Sequence, residues 1–94
     1  MKLLFAKAAR QELEEAAGYV AEHNPRAARN LEERVLATAQ RLTVFPHLGR
    51  PLDDTGRRRF EIGGTPYRLI YAVRRDAVVI LRIWHGARRW PPVS

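Results

Sequence analysis

Cysteine is absent from this chain of 94 residues. A disulfide framework, a thiolate zinc site and thiol nucleophile chemistry are thereby excluded, and a reducing cytosol is the environment that fits. Long hydrophobic runs are missing too. The opening stretch, Met1-Lys2-Leu3-Leu4-Phe5-Ala6-Lys7, sets only three large apolar side chains in a row before charge returns, far short of a signal-peptide core or a membrane span. A cytoplasmic protein without membrane association is expected. Lysine is confined to Lys2 and Lys7, and no tyrosine follows Tyr71. Internal repeats and low-complexity stretches are lacking. No pattern calls for a metal or any other cofactor, since His23 and His47 lie at expected turns without ligand spacing around them.

What is present describes a globular protein. Apolar residues make up 46% of the chain and charged residues 29%, whereas a disordered chain would lack the Leu, Ile and Val needed to offset ordering entropy. This length accommodates one domain, residues 1–94, around one modest core. The net charge of +7 is unevenly placed. Residues 1–49 hold seven basic and six acidic side chains (+1), whereas residues 50–94 hold ten arginines and four acids (+6). That half should face a polyanion or an acidic protein. Arginine suits such a role because its planar fork pairs donors toward phosphate or carboxylate. The plain alternative for any single arginine is a solvated surface.

The apolar pattern gives the elements. Leu3, Leu4 and Phe5 read as a brief first strand. From Lys7 to about Glu22, the residues Ala9, Leu13, Ala16, Ala17 and Val20 recur at helical spacing. Asn24-Pro25 supplies an N-cap and a first-turn proline for a second helix, whose stripe is Ala28, Leu31, Val35, Ala39 and Leu42 and which Phe45-Pro46 ends. Residues 46–56 are dense in Pro, Gly and Asp and read as an ordered loop. Three β-rich runs follow, Arg57–Ile62, Tyr67–Val73 and Val78–Trp84, an antiparallel meander. Their more apolar faces, Tyr67, Leu69, Tyr71 and Val73 in one run and Val79, Leu81 and Ile83 in the next, should meet the helices, leaving Arg68 and Arg82 on the open face. The expected fold is α+β, a β-α-α-β-β-β chain with an N-terminal helix hairpin packed on a small antiparallel β-sheet. The tail from His85 allows a turn but, with Pro91-Pro92, no further helix.

Four segments in order carry a resemblance. These are Asn24-Pro25-x-Ala27-Ala28, Phe45-Pro46-x-x-Gly49-Arg50, Pro66-Tyr67-Arg68-Leu69-Ile70-Tyr71, and Ile83-Trp84-His85-Gly86-Ala87-Arg88-x-Trp90-Pro91. Together they span essentially the whole chain, and the pattern resembles the RelE/ParE toxin superfamily, whose members include plasmid stabilisation proteins. The resemblance implies the toxin half of a type II toxin–antitoxin system. A cognate antitoxin would fold onto its basic and apolar surfaces in a toxin–antitoxin hetero-oligomer. It does not decide the target: members similar to RelE cut messenger RNA in the ribosome, and members similar to ParE inhibit DNA gyrase, on one fold.

The residues arbitrate. Cutting RNA through its 2′-hydroxyl needs a base, a cation on the phosphate and an acid for the leaving oxygen. RelE-like enzymes supply lysines or a glutamate near the second strand and a Tyr or His near the C-terminus. Here both lysines sit at the wrong end. The remaining nuclease candidates are Glu61 as base, Arg68 and Arg88 on phosphate, and His85 as acid, imidazole being a common proton donor in catalysis. The plainer expectation makes Glu61 a solvated carboxylate paired with an arginine, and His85 a side chain closing a strand. Tyr67 and Tyr71 read as core aromatics rather than base-stacking platforms.

The ending Gly-Ala-Arg-x-Trp-Pro leans toward the ParE-like branch. A DNA gyrase inhibitor, neutralised by its antitoxin and not an enzyme, is therefore the expected function. The alternative is a ribosome-dependent messenger-RNA interferase. A non-enzymatic nucleic-acid-binding module, which the charge would permit, ranks last because no recognition helix or stacking motif supports it. Contacts with target or antitoxin are expected from Arg57, Arg58, Arg59, Arg68, Arg82, Arg88, Arg89 and Trp90, large aromatics and arginines being the usual anchors of an interface. Trp84 is the tryptophan expected to fold over the core instead.

Overall fold

The structure, a computed structural model, describes residues 1–88. The elements run β1 (Lys2–Phe5), α1 (Lys7–Ala21), α2 (Pro25–Val44), β2 (Arg50–Pro51), β3 (Arg57–Glu61), β4 (Tyr67–Arg74) and β5 (Ala77–His85). The α+β class and the helix hairpin are as the pattern implied. Two details go beyond it. The sheet has the order β1-β5-β4-β3-β2, and β1 pairs parallel to β5 while every other neighbour is antiparallel. A two-residue strand, β2, also lies inside the segment read as a loop.

The second helix begins where its cap is. Asn24 is in an extended conformation, its side-chain oxygen accepts the N–H of Ala27 at 3.1 Å, and Pro25 follows in the first turn, so orphan donors at the start are answered. All five stripe residues, Ala28, Leu31, Val35, Ala39 and Leu42, are buried. In α1 the residues Ala9, Ala16 and Ala17 are buried, with Leu13 and Val20 packed beside them. Small alanines let the two helices approach, and α1 lies against β5.

Both helices cover one face of the sheet, where Leu69, Tyr71, Val78, Ile80 and Ile83 meet Leu31, Val35 and Leu42. Each such side chain removed from water contributes about 1.5–3 kcal/mol. The assignment of β4 holds. That of β5 needs correction: Val78 and Ile80, not Val79 and Leu81, face the helices. The register explains how Ile83 still joins them. Tyr71 pairs with Ile80 and Ile70 with Arg82, so Leu81 is an extra residue, a β-bulge that shifts the alternation by one.

The segment after α2 is tied to the core by one phenol. Tyr71 is fully buried, and its hydroxyl donates to the carbonyl of Pro46 at 2.8 Å and accepts the N–H of Gly49 at 2.9 Å. Arg58 donates to the carbonyl of the same glycine at 2.7 Å. A Cβ at position 49 would stand 2.6 Å from both the Arg59 carbonyl and the Tyr71 hydroxyl, so only glycine fits.

Candidate functional site

The face of the sheet turned away from the helices is built from arginine. Residues directly opposite one another in neighbouring strands share a face. Arg50 opposes Arg59, Arg59 opposes Ile70, and Ile70 opposes Arg82, giving one row across four strands. A second row runs Glu61, Arg68, Trp84. Arg57, opposite Ala72, begins a third. The apolar residues of the helices pack on the other side, and from α1 the Glu12 carboxylate reaches Arg82 of this row.

Acidic side chains answer part of the charge. Arg57 meets Asp53 at 2.5 Å, and Arg68 stands 4.0 Å from Glu61, whose side chain is 61% exposed. Hydrogen bonds from the Thr55 hydroxyl and N–H, more than Arg57, hold Asp53 below its ordinary value of 3.8. Arg82 reaches Glu12 of α1 through bonds of 2.7 and 3.0 Å, which raise its already high pKa. The Arg82 guanidinium also lies 5.0 Å from the centre of the Trp84 ring, with that of Arg88 at 6.0 Å, in the range of cation–π attraction. Trp84 itself is buried, its indole N–H donating to the Arg88 carbonyl at 3.0 Å.

His85 belongs to the other face. It opposes Tyr67, and the two rings meet edge to face with centroids 5.1 Å apart. It opens on a cleft of about 270 Å³ between α1 and the end of β5, lined by Glu12, Glu15, Tyr19 and Arg88 among others. Its Nδ1 accepts the N–H of Ala87 at 3.0 Å, which places the ring proton of the neutral imidazole on Nε2. Of the nuclease candidates, the fold therefore brings Glu61 and Arg68 together, sets Arg88 at the margin between the faces, and holds His85 on the opposite side of the sheet from Glu61.

A family model described as the ParE toxin of type II toxin–antitoxin systems, parDE, matches residues 3–90. The chain belongs to the ParE toxin family. A solved structure described as the chromosomal ParDE TA system from P. aeruginosa overlays this toxin with a TM-score of 0.80 at 20% identity, covering 90% of this chain and 95% of that one. The likeness shows a shared fold. No curated protein matches the chain. Membership in the family implies an antitoxin partner for the toxin.

Among the contacts expected of the toxin, Arg57, Arg59, Arg68 and Arg82 share the open face, while Arg58 is turned into the Gly49 loop. Arg89 and Trp90 lie outside the described residues. The sequence reading missed Arg50, because a two-residue strand within a Pro- and Gly-rich segment has no periodicity to read. It also missed Glu12, whose role depends on a strand 70 residues away. Among the described residues no acidic or histidine cluster could hold a metal, and no helix is long and apolar enough to cross a membrane.

Proposed function

We propose that this toxin inhibits DNA gyrase in the cytoplasm, without catalysing a reaction of its own, and that a cognate antitoxin neutralises it in a hetero-oligomer. The observation that carries the reading is the division of the acid–base candidates between two faces. A general acid and a general base acting on one phosphodiester must both come within hydrogen-bond reach of it. His85 is on the helix-covered side with Tyr67, and Glu61 on the open side against Arg68. The lack of lysine beyond Lys7 points the same way.

Purified toxin should inhibit supercoiling by gyrase while ribosomes go on translating, and induced expression should provoke DNA-damage signalling and filamentation. Glu61→Gln should leave toxicity nearly unchanged, because no proton is abstracted. Removing the charge at Arg68 or Arg88, or truncating before Trp90, should weaken it by loss of target contact. Codon-positioned cuts in translated messenger RNA, abolished by Glu61→Gln and accompanied by unimpaired gyrase, would overturn the proposal in favour of a messenger-RNA interferase.

A further inference from the structure

Arg50 and Arg59 stand directly opposite each other across β2 and β3, an arrangement in which like charges repel and weaken a sheet. Asp53, Glu61 and Glu12 answer Arg57, Arg68 and Arg82, but neither Arg50 nor Arg59 has a carboxylate partner among the described residues. Such opposed residues set their Cβ atoms about 4.5–5.5 Å apart. One tetrahedral oxyanion held between the two guanidinium forks would accept hydrogen bonds from both and turn the repulsion into attraction. The row continues through Ile70 to Arg82. Glu12 already answers Arg82, so the unanswered positive charge of this row is the Arg50–Arg59 pair, on strands about 4.8 Å apart.

The apolar residues of this face bear on which molecule carries that anion. Ile70, Ala72 and Trp84 are only 1%, 3% and 4% exposed, so around Arg59 the face offers a partner guanidinium groups and little apolar surface. The row of Arg57 and Ala72 continues to the partly exposed Val79 and the exposed Leu4, but these lie two and three strands from Arg59. An acidic peptide that orders as it binds needs apolar anchors to offset its entropy. The exposed apolar cluster Val44, Phe45 and Leu48 lies elsewhere, at and beyond the end of α2. A phosphodiester backbone needs no such anchor, since counterion release supplies its binding.

We propose that the open face of the sheet grips the phosphodiester backbone of duplex DNA, with Arg50 and Arg59 clamping one phosphate between them. This deepens the gyrase reading, on which it rests only for the choice of duplex: the toxin touches the DNA that gyrase handles as well as the enzyme.

Fluorescence anisotropy of purified toxin with a short labelled duplex, at about 50 and 200 mM salt, tests it without gyrase. Binding is expected at low salt and should weaken steeply as salt rises. Replacing both arginines, Arg50→Ala with Arg59→Ala, should weaken it roughly tenfold or more and lower the salt slope by about two. Arg50→Glu, which gives Arg59 an opposite charge across the strands, should bind more weakly while melting at the same temperature or higher, separating lost contact from lost fold. Four results would overturn the proposal: no duplex binding at low salt, equal binding by these variants, displacement of the duplex by polyglutamate at equal charge, or preference for single-stranded RNA. Gyrase inhibition is scored separately. DNA binding without inhibition sinks the gyrase reading and leaves this one standing, and inhibition without DNA binding does the reverse.

Discussion

Glu12 of α1 holds Arg82 of β5 with hydrogen bonds of 2.7 and 3.0 Å, and the same carboxylate accepts the backbone N–H of Ile83 at 3.0 Å. The pairing of β1 with β5 ends at Phe5 and Ile80, so beyond that point no strand of the described residues lies beside this edge of β5. An unanswered N–H there would cost free energy. Glu12 takes the place of the missing strand and fastens the first helix to the sheet.

Glu12→Gln keeps the size of the side chain but removes its charge. Because the Arg82 side chain is about one-third exposed, solvent screening limits the loss, and about 1–2 kcal/mol is expected for weakened charge-assisted bonds. In a domain of this size that lowers the melting temperature by several degrees. A melting curve coincident with that of the parent protein would show that the clamp contributes nothing.

The tie between Tyr71 and Gly49 gives a graded pair. Tyr71→Phe leaves the Gly49 N–H and the Pro46 carbonyl without their partner, at about 1–3 kcal/mol. Gly49→Ala forces a methyl group to within 2.6 Å of backbone and phenol oxygens and should cost about as much or more. Chemical denaturation of the two variants checks the order. A neutral Gly49→Ala would mean that the loop shifts freely over the sheet.

Asp53 gives a pH dependence. The Thr55 hydroxyl and N–H, and then Arg57, hold its carboxyl below the ordinary 3.8. The sign is that of a depressed acid: any stability it lends is present above the unfolded value and is lost as pH falls through the lower folded value. The carboxyl is exposed, so the effect on the whole fold should be small. Titration followed by NMR should place Asp53 below 3.8, and Thr55→Val should move it upward. An unmoved midpoint in Thr55→Val would remove the threonine as the cause.

Arg75 has a φ of 52° in the turn that joins β4 to β5. A positive φ at the first position of a two-residue hairpin loop favours glycine, and an L side chain there is strained. Arg75→Gly should raise stability by up to about 1 kcal/mol. A fall in the denaturation midpoint would show that the arginine side chain stabilises the turn by contacts that outweigh the strain.

Which parts of the molecule were legible follows from how far apart the cooperating residues are. Asn24, Pro25 and the five apolar residues of α2 lie within one helix, so cap, start, buried face and stop could all be read in a single window. The core side of β4 followed from the larger Tyr67, Leu69, Tyr71 and Val73 sharing one face while Arg68 falls on the other. In β5 the alternation breaks at Leu81, and nothing local marks it, because Val78, Val79, Ile80 and Leu81 are all apolar and suit either face. Only the pairing of Ile70 with Arg82 and Tyr71 with Ile80 fixes the bulge.

The site divides the same way. A surplus of arginine in the second half is a matter of counting, and the sequence determined it. Which arginines act together was decided by the sheet, since pairing across strands joins residues distant along the chain: Arg50 to Arg59, Glu61 to Arg68, and Arg82 to Glu12. It also separated His85 from Glu61. By itself the sequence determined the elements, the fold class and the sign of the charge, because those depend on local spacing and composition. Tertiary structure alone decided which charges are answered and which stand exposed on one face, because that depends on strand order and register.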